Sequence, residues 1–165
     1  MIRQCNSADL NIIHEIINDA AIAYRSNIPD DCYHEPYMEL TVLKSEVDAG
    51  VVFWGWEESG TLKGAMGIQK VQDVMLIRHA YVRTDSQGKG IGSLLLSYLL
   101  DQVKGRILVG TWAAAYWAIG LYERHGFKMT SPIEKDILLD KYWTISPRQK
   151  NTSVLLLQDR KLTLI

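Results

Sequence analysis

Residues 81 to 92 read Tyr-Val-Arg-Thr-Asp-Ser-Gln-Gly-Lys-Gly-Ile-Gly. Gly88, Gly90 and Gly92 alternate where an apolar, β-branched run gives way to one with helical spacing. Glycine lets a backbone approach a ligand closely and adopt dihedrals closed to other residues. The first N–H groups of a helix lack internal partners, and the helix dipole adds partial positive charge at the same end. A turn of this kind suits a phosphate or pyrophosphate, and Lys89 adds a full charge beside it. Two familiar nucleotide loops do not fit. GxxxxGK followed by Ser or Thr is absent, and GxGxxG counted from Gly88 fails at Ser93. The run from Ile107 to Thr111 also lacks a terminal Asp or Glu to hold a ribose. The competing reading is a tight strand-to-helix turn with no ligand.

The elements around this turn follow from periodicity. Ile2 to Cys5 reads as a short strand, and Ser7 as the N-cap of a helix carrying Leu10, Ile13, Ile16, Ile17, Ala20, Ala21 and Tyr24 on one stripe. Asn27 to Pro36 is a loop, and Thr41 to Ala49 a second helix ended by Gly50. Val51 to Glu57, Leu62 to Val71 and Val74 to Val82 form an antiparallel meander. The pattern then alternates: a helix from Ile91 to Leu100, a strand from Ile107 to Thr111, a helix from Ala113 to Arg124, and a late strand from Ser153 to Gln158. Pro132 to Lys141 reads as a short extra helix starting near Ser131. The fold class is α+β, with a mixed central sheet (an antiparallel meander followed by β-α-β-α-β) flanked by helices.

Composition narrows the function. At 165 residues the chain is expected to be a single domain, 1–165. Hydrophobic residues make up 47% and charged residues 22%, a balance that suits a globular core. Lys plus Arg total 18 and Asp plus Glu 19, so no broad basic surface points to nucleic acid or an anionic membrane. No apolar run is long enough to span a bilayer, and the opening Met-Ile-Arg-Gln-Cys-Asn lacks the apolar core of a signal peptide. Cys5 and Cys32 do not form a CxxC pair, so neither a zinc site nor a disulfide framework is expected. These features describe a reduced, cytoplasmic protein without a metal.

The spacing Gln87-x-x-Gly90-x-Gly92 resembles motif A of the GNAT superfamily of acetyl-CoA-dependent N-acetyltransferases. The strand ending Ala80-Tyr81-Val82-Arg83 looks like that superfamily's central strand. Ala118-Ile119-Gly120-Leu121-Tyr122-Glu123-Arg124-His125-Gly126-Phe127 resembles its A-x-x-L-Y-E-x-x-G-F segment. The order of elements agrees from about Ile2 to Gln158. The resemblance implies acetyl-CoA as co-substrate, with the backbone near Tyr81 and Val82 pairing the pantetheine arm. It implies that Gln87, Gly88, Lys89, Gly90, Ile91 and Gly92 hold the pyrophosphate. One position departs: the family often carries Asn where this chain has Ala115.

The resemblance also makes Tyr122 the candidate general acid for the leaving thiolate, since a phenol is protonated at neutral pH; the alternative is a packing residue. A general base is not assigned. The positions that align with the family's base are Leu76 and Arg78. His79 is expected on the opposite face by strand alternation, and His34 and Glu35 border the acceptor side. Tyr33, His34 and Trp54 are the candidate acceptor-binding residues, with Tyr37, Trp56, Asp30 and Asp31 nearby, a set that favours a cationic amine. Trp54 and Trp56 share a strand face, and core packing is the favoured reading for both. His14 is expected on the solvated side of the first helix, and His125 as a helix C-terminal cap. The segment 131–151 reads as an insertion, either a lid or a homodimer contact. The expected activity is acetyl transfer to the primary amine of a small molecule or peptide, directly, because neither cysteine falls in the cleft motif. The alternative is a non-catalytic acyl-CoA-binding module.

Overall fold

The structure is a computed structural model and describes residues 1–161. Its strands are β1 (Ile2–Gln4), β2 (Val52–Glu58), β3 (Thr61–Val71), β4 (Val74–Val82), β5 (Gly105–Trp112), β6 (Lys128–Met129) and β7 (Ser153–Arg160). Its helices are α1 (Leu10–Ala21), α2 (Leu40–Asp48), α3 (Ile91–Gln102), α4 (Tyr116–Arg124), α5 (Pro132–Tyr142) and α6 (Pro147–Asn151). The described residues form one seven-stranded sheet in the order β1-β2-β3-β4-β5-β7-β6. The α+β class and the meander followed by alternating elements agree with the sequence reading. Every neighbouring pair is antiparallel except β4–β5.

That parallel step matters most. β4 and β5 pair only from Met75 opposite Ile107 to Ile77 opposite Val109. Beyond Ile77 the two strands part, and among the described residues the β5-facing edge of β4 from Arg78 to Val82 has no strand partner there. An unpaired strand edge presents N–H and C=O groups to whatever enters.

Two layers of helix cover the sheet. On one face α3 buries Ile91, Leu95, Leu96, Leu99 and Leu100 against Met66, Ile77, Ile107 and Val109, with Tyr122 of α4 in the same cluster. On the other, α1 and α2 bury Ile13, Ile17 and Leu43 against Val51, Phe53 and Ala65. There α5 covers Val74, Leu76, Leu108 and Leu155 with Leu138, Leu139 and Tyr142. Each fully buried aliphatic side chain contributes about 1.5–3 kcal/mol relative to exposure.

The start of α1 differs from expectation. Asn6, not Ser7, is the capping residue, and it caps the turn before α1: its side chain accepts from the Ala8 N–H, and the Asp9 carboxylate accepts from the Asn6 N–H. A single turn, Ser7–Asp9, precedes α1, and Arg3 pins Asp9 with two hydrogen bonds. His14 is not solvated: its Nε2 donates to the Met38 carbonyl at 2.8 Å. α4 begins at Tyr116, not Ala113, because residues 113–115 form a turn. β6 and α6 were not legible as elements in advance. α5 begins as predicted, with Ser131 accepting from the Glu134 N–H and Pro132 in the first turn. Ser146 and Pro147 repeat that device for α6.

Candidate active site

The glycine turn lies where β4 hands over to α3. Gly88 and Gly90 take φ of 77° and 80°, a region that costs other residues steric strain. The N–H groups of Gly88 and of Gly90 through Ser93 make no hydrogen bond to another backbone group among the described residues. The start of α3 has no side-chain cap either. A row of outward donors at a helix N-terminus fits an anion. Gln87 braces the turn, its Nε2 donating to the Val82 carbonyl at 3.0 Å. Gly92 lies against α4, where a Cβ would stand 3.6 Å from Cδ2 of Leu121. Lys89 is exposed beside it.

Beside the β4–β5 gap, on the α1–α2 face, lies an aromatic cluster. Tyr24, Trp112 and Ala115 are buried there, with Tyr33, Tyr37 and Tyr81 packed around them. The Tyr24 hydroxyl donates to that of Tyr81 at 3.5 Å, and Trp112 Nε1 donates to the Tyr37 hydroxyl at 2.8 Å. Burial pushes the Tyr37 phenol up to about 12 and raises Tyr24 and Tyr81 above their ordinary value. All three therefore stay protonated at neutral pH. Ala115, where the resemblance leads one to expect Asn, is fully buried in this cluster. Tyr122 is buried under α4 with its ring edge-on to Phe127 at 5.7 Å. Burial, and next the proximity of Tyr24, raise its phenol well above the ordinary range.

From this cluster a groove of about 1140 Å³ runs along the α2 face of the sheet. One wall is α2 with Val42 and Glu46, and Glu39 just before it; the other is the α5–α6 connection with Trp143 and Ile145, and α6 with Arg148. Its floor includes Arg78, His79, Tyr81, Gly110 and Trp112. Asp31 and Arg148 reach each other across it with two hydrogen bonds of 3.1 and 3.0 Å.

The predicted acceptor residues do not all meet. His34 lines the groove and stacks on Tyr37, and its Nδ1 donates to the Pro36 carbonyl at 2.7 Å. Tyr33 packs behind, stacked on Tyr37 at 6.2 Å and donating to Glu35. Glu35 is exposed, paired with Arg25, and does not line the groove. Trp54 lies on the face of the sheet opposite the groove. Its ring lies tilted against Tyr98 of α3 with centroids 5.1 Å apart, and Trp56 shares that face. The cause is alternation: Phe53, its neighbour, is the residue that faces α1. Cys32, not expected in the cleft, lines the groove wall.

A β-bulge overturns the placement of His79. β3 and β4 pair in register until Gly67 opposite Arg78; Ala65 then faces Tyr81, so β4 carries one extra residue. His79 takes φ 55°. A bulge resets the alternation of side chains. Val74, Leu76 and Arg78 face α2 and α5, and so do His79 and Tyr81. Arg78 Nη2 donates to Glu46 at 2.9 Å, and His79 Nε2 is hydrogen-bonded to the other oxygen of the same carboxylate. Burial pushes the Glu46 carboxyl up, but the bonds and charges of His79 and Arg78 outweigh it and hold it below its ordinary value.

His125 caps α4 as expected, with Nδ1 donating to the Leu121 carbonyl and the Ser93 hydroxyl donating to Nε2 at 2.9 Å. Among the described residues no group of His, Cys, Asp and Glu could hold a metal, and no helix is long and apolar enough to cross a membrane.

Comparison with known proteins agrees with this geometry. The family model described as the Acetyltransferase (GNAT) family matches residues 13–127. Comparison with curated proteins finds no significant match. Among solved structures, the ribosomal-protein-S18-alanine N-acetyltransferase of Escherichia coli superposes with a TM-score of 0.71 at 17% identity, covering 99% of this chain and 95% of that one. An acetyltransferase of the GNAT family from Staphylococcus aureus Mu50 gives 0.71 at 17% identity over 98% and 99%. The PaiA N-acetyltransferase of Thermoplasma acidophilum in complex with coenzyme A gives 0.68 at 15% over 96% and 98%. At these identities the likeness is one of fold. With the family match spanning most of the chain, from α1 through the turn to Phe127, the protein belongs to the GNAT family of acetyltransferases.

Proposed function

We propose that the protein moves an acetyl group from acetyl-CoA to the primary amine of a small molecule or peptide, by direct transfer in a ternary complex. The observation that carries this reading is the gap between β4 and β5. It has the donor-lined turn Gln87–Gly92 at its end and a groove with aromatic and acidic walls on one side. The pyrophosphate would sit on the turn, and the pantetheine arm along the free edge of Tyr81 and Val82. The thioester would then reach the aromatic cluster. The structure of a Thermoplasma acidophilum N-acetyltransferase of this fold holds coenzyme A, which supports a coenzyme A thioester as the donor.

The acceptor enters from the groove, past His34 and Tyr37, with Tyr33 backing Tyr37. Its neutral nitrogen attacks the thioester carbonyl, the N–C bond forms and the C–S bond breaks. The leaving sulfur takes a proton from Tyr122, which is refilled from the nitrogen or solvent. The activity is tested by thermal melting with acetyl-CoA, followed by thiol release with a panel of spermidine, tyramine, lysine amide and an alanine-initiated hexapeptide. A cofactor-dependent rise in Tm is expected, because a ligand of the folded state stabilises by mass action. Thiol release matching acetylated product is expected for at least one amine. Stabilisation without release across the panel would instead favour an acyl-CoA-binding module.

A further inference from the structure

The first turn of α3 meets the last turn of α4. Gly92 permits the contact, since a Cβ there would stand 3.6 Å from Cδ2 of Leu121. One residue on, the Ser93 Oγ lies 2.9 Å from Nε2 of His125, and both residues are half-buried. A helical side chain leans toward the N-terminus of its helix. The Ser93 hydroxyl therefore leans toward the turn whose N–H groups fit an anion. Acetyl-CoA carries one, a pyrophosphate whose charge stays fixed near neutral pH.

The tautomer of His125 follows from its partners. The Leu121 carbonyl only accepts, so the Nδ1 that bonds it at 2.9 Å carries a hydrogen. In the neutral ring Nε2 is then the lone-pair nitrogen, and the Ser93 hydroxyl gives it its hydrogen. Ser93 therefore offers the turn only lone pairs, which a phosphate oxygen repels. Protonation of the ring reverses the bond: Nε2–H donates to Oγ, and the hydroxyl hydrogen is released to point at an anion. The C-terminus of α4 favours a cation here and the N-terminus of α3 opposes it. From β7, Gln158 Nε2 donates to the His125 carbonyl and brings no charge. The charged groups around the ring are Glu123 and Arg124 on α4, Lys128 on β6 and Lys89 on the turn, all exposed. Arg124 turns back along its helix, with Nη1 3.1 Å from where a Cβ on Gly120 would stand. Among the described residues no carboxylate pairs with the His125 ring, so an imidazolium here lacks a counter-charge until an anion arrives.

We propose that Ser93 and His125 act as a proton-linked pair in coenzyme binding. The pyrophosphate draws one proton from solvent onto His125 Nε2, which then donates to Ser93, and Ser93 donates to the pyrophosphate. No covalent bond changes. The proton taken up when the coenzyme binds returns to solvent when it leaves. Because coupling between two ligands is reciprocal, the proton and the coenzyme must each tighten the other. Affinity for coenzyme A is therefore higher at low pH and falls as pH rises through the imidazole range.

This rests on the pyrophosphate lying on the Gln87–Gly92 turn, and the test separates the two. Coenzyme A is titrated calorimetrically into the full chain at pH 7, in buffers of low and high ionisation enthalpy. Phosphate buffer is avoided because it would compete for the turn. The dependence of the heat on the buffer counts the protons taken up. No binding to wild type would count against the cofactor reading itself and remove this one with it. His125→Gln and Ser93→Ala are compared with wild type, each first shown by melting to be folded. Wild type should take up a fraction of one proton more than either variant. Its Kd should weaken roughly 5-fold or more between about pH 6 and about pH 8, beyond any change the variants show. The 3′-phosphate of coenzyme A titrates in the same range, so dephospho-coenzyme A, which lacks it, is the second probe. The excess uptake of wild type should persist with that probe. The ring C–H resonances of His125, assigned by their loss in His125→Gln, should move toward their protonated positions as coenzyme A is added. Equal proton uptake in wild type and His125→Gln would overturn the proposal. So would uptake that survives Ser93→Ala, or an excess that vanishes with dephospho-coenzyme A.

Discussion

Gly67 and Arg78 face each other across β3 and β4 so closely that a Cβ on Gly67 would stand 2.9 Å from the Arg78 carbonyl oxygen and 2.9 Å from Cγ1 of Val51. Neither neighbour yields easily: one is backbone at the bulge and the other is core. The missing side chain is therefore what lets β4 bulge here and turn His79 toward α2 beside Arg78. Gly67→Ala should destabilise the fold by about 1–3 kcal/mol, the usual range for overpacking. It should also lower kcat more than it weakens acetyl-CoA binding, because the bulge moves while the turn after β4 does not. Thermal melting and cofactor titration on the same preparation check both parts.

Gly67 also marks the limit of what the sequence disclosed. The meander, the glycine turn and the helical stripe of α1 were legible because each rests on a local period or a local steric need. The Gln87–Gly92 turn was readable for the same reason. His79 was misplaced because alternation holds only while two strands stay in register, and register is a property of two strands. A glycine inside a strand is a signal of a bulge or a close approach, and Gly67 carried it. Trp54 stood between core and acceptor site for a different reason: an aromatic residue in a strand has two faces to choose from, and only the partner helix decides. Glu46 had no signal at all, since nothing in α2 alone says which strand its carboxylate will meet.

Tyr122→Phe removes one hydroxyl from a fully enclosed ring. Turnover should fall about 10²-fold or more if the phenol protonates the thiolate, while the melting shift with acetyl-CoA stays close to wild type. The pH dependence has a definite sign. Burial raises the folded phenol above its ordinary value, so it remains protonated through the neutral and mildly alkaline range. No alkaline loss of kcat from this group is expected below about pH 10. Full turnover in the Phe variant would remove Tyr122 from the chemistry.

Gly90 precedes the first residue of α3 with φ 80°, and a Cβ there would meet nothing within 4 Å. Substitution is thus resisted by backbone strain and not by crowding. Gly90→Ala should cost about 1 kcal/mol or somewhat more of stability. It should weaken acetyl-CoA much more than it changes the acceptor KM, since the N–H groups of the turn are what it re-aims. Calorimetric titration with acetyl-CoA and with desulfo-CoA reads the first effect, and steady-state kinetics the second.

Cys32 lines the groove without being needed by direct transfer. Cys32→Ser should keep turnover within a few-fold of wild type, and double-reciprocal plots for both proteins should intersect. Parallel lines, together with loss of turnover in the Ser variant, would replace direct transfer by an acetyl-thiol intermediate.

Asp31 and Arg148 are 117 residues apart and join the two walls of the groove. Both side chains are more than half exposed. Exposed pairs add little to stability, so Asp31→Asn and Arg148→Gln should leave Tm almost unchanged. The consequence should be kinetic. A tie across the groove restrains the loop before α2 against the segment before β7, and its loss should change the acceptor KM with kcat preserved, the pattern of an interaction felt equally by ground and transition states. Salt should mimic the variants, because an exposed pair is screened. The pH sign follows from Asp31, whose carboxyl is held below its ordinary value by the Arg148 hydrogen bonds. The tie is present above the ordinary carboxylate range and is lost only as pH falls through that lowered value, below about pH 4. Between pH 6 and 8 the acceptor KM of wild type should therefore carry no titration from this pair, and a KM change in the Asn variant should be the same at both ends of that range.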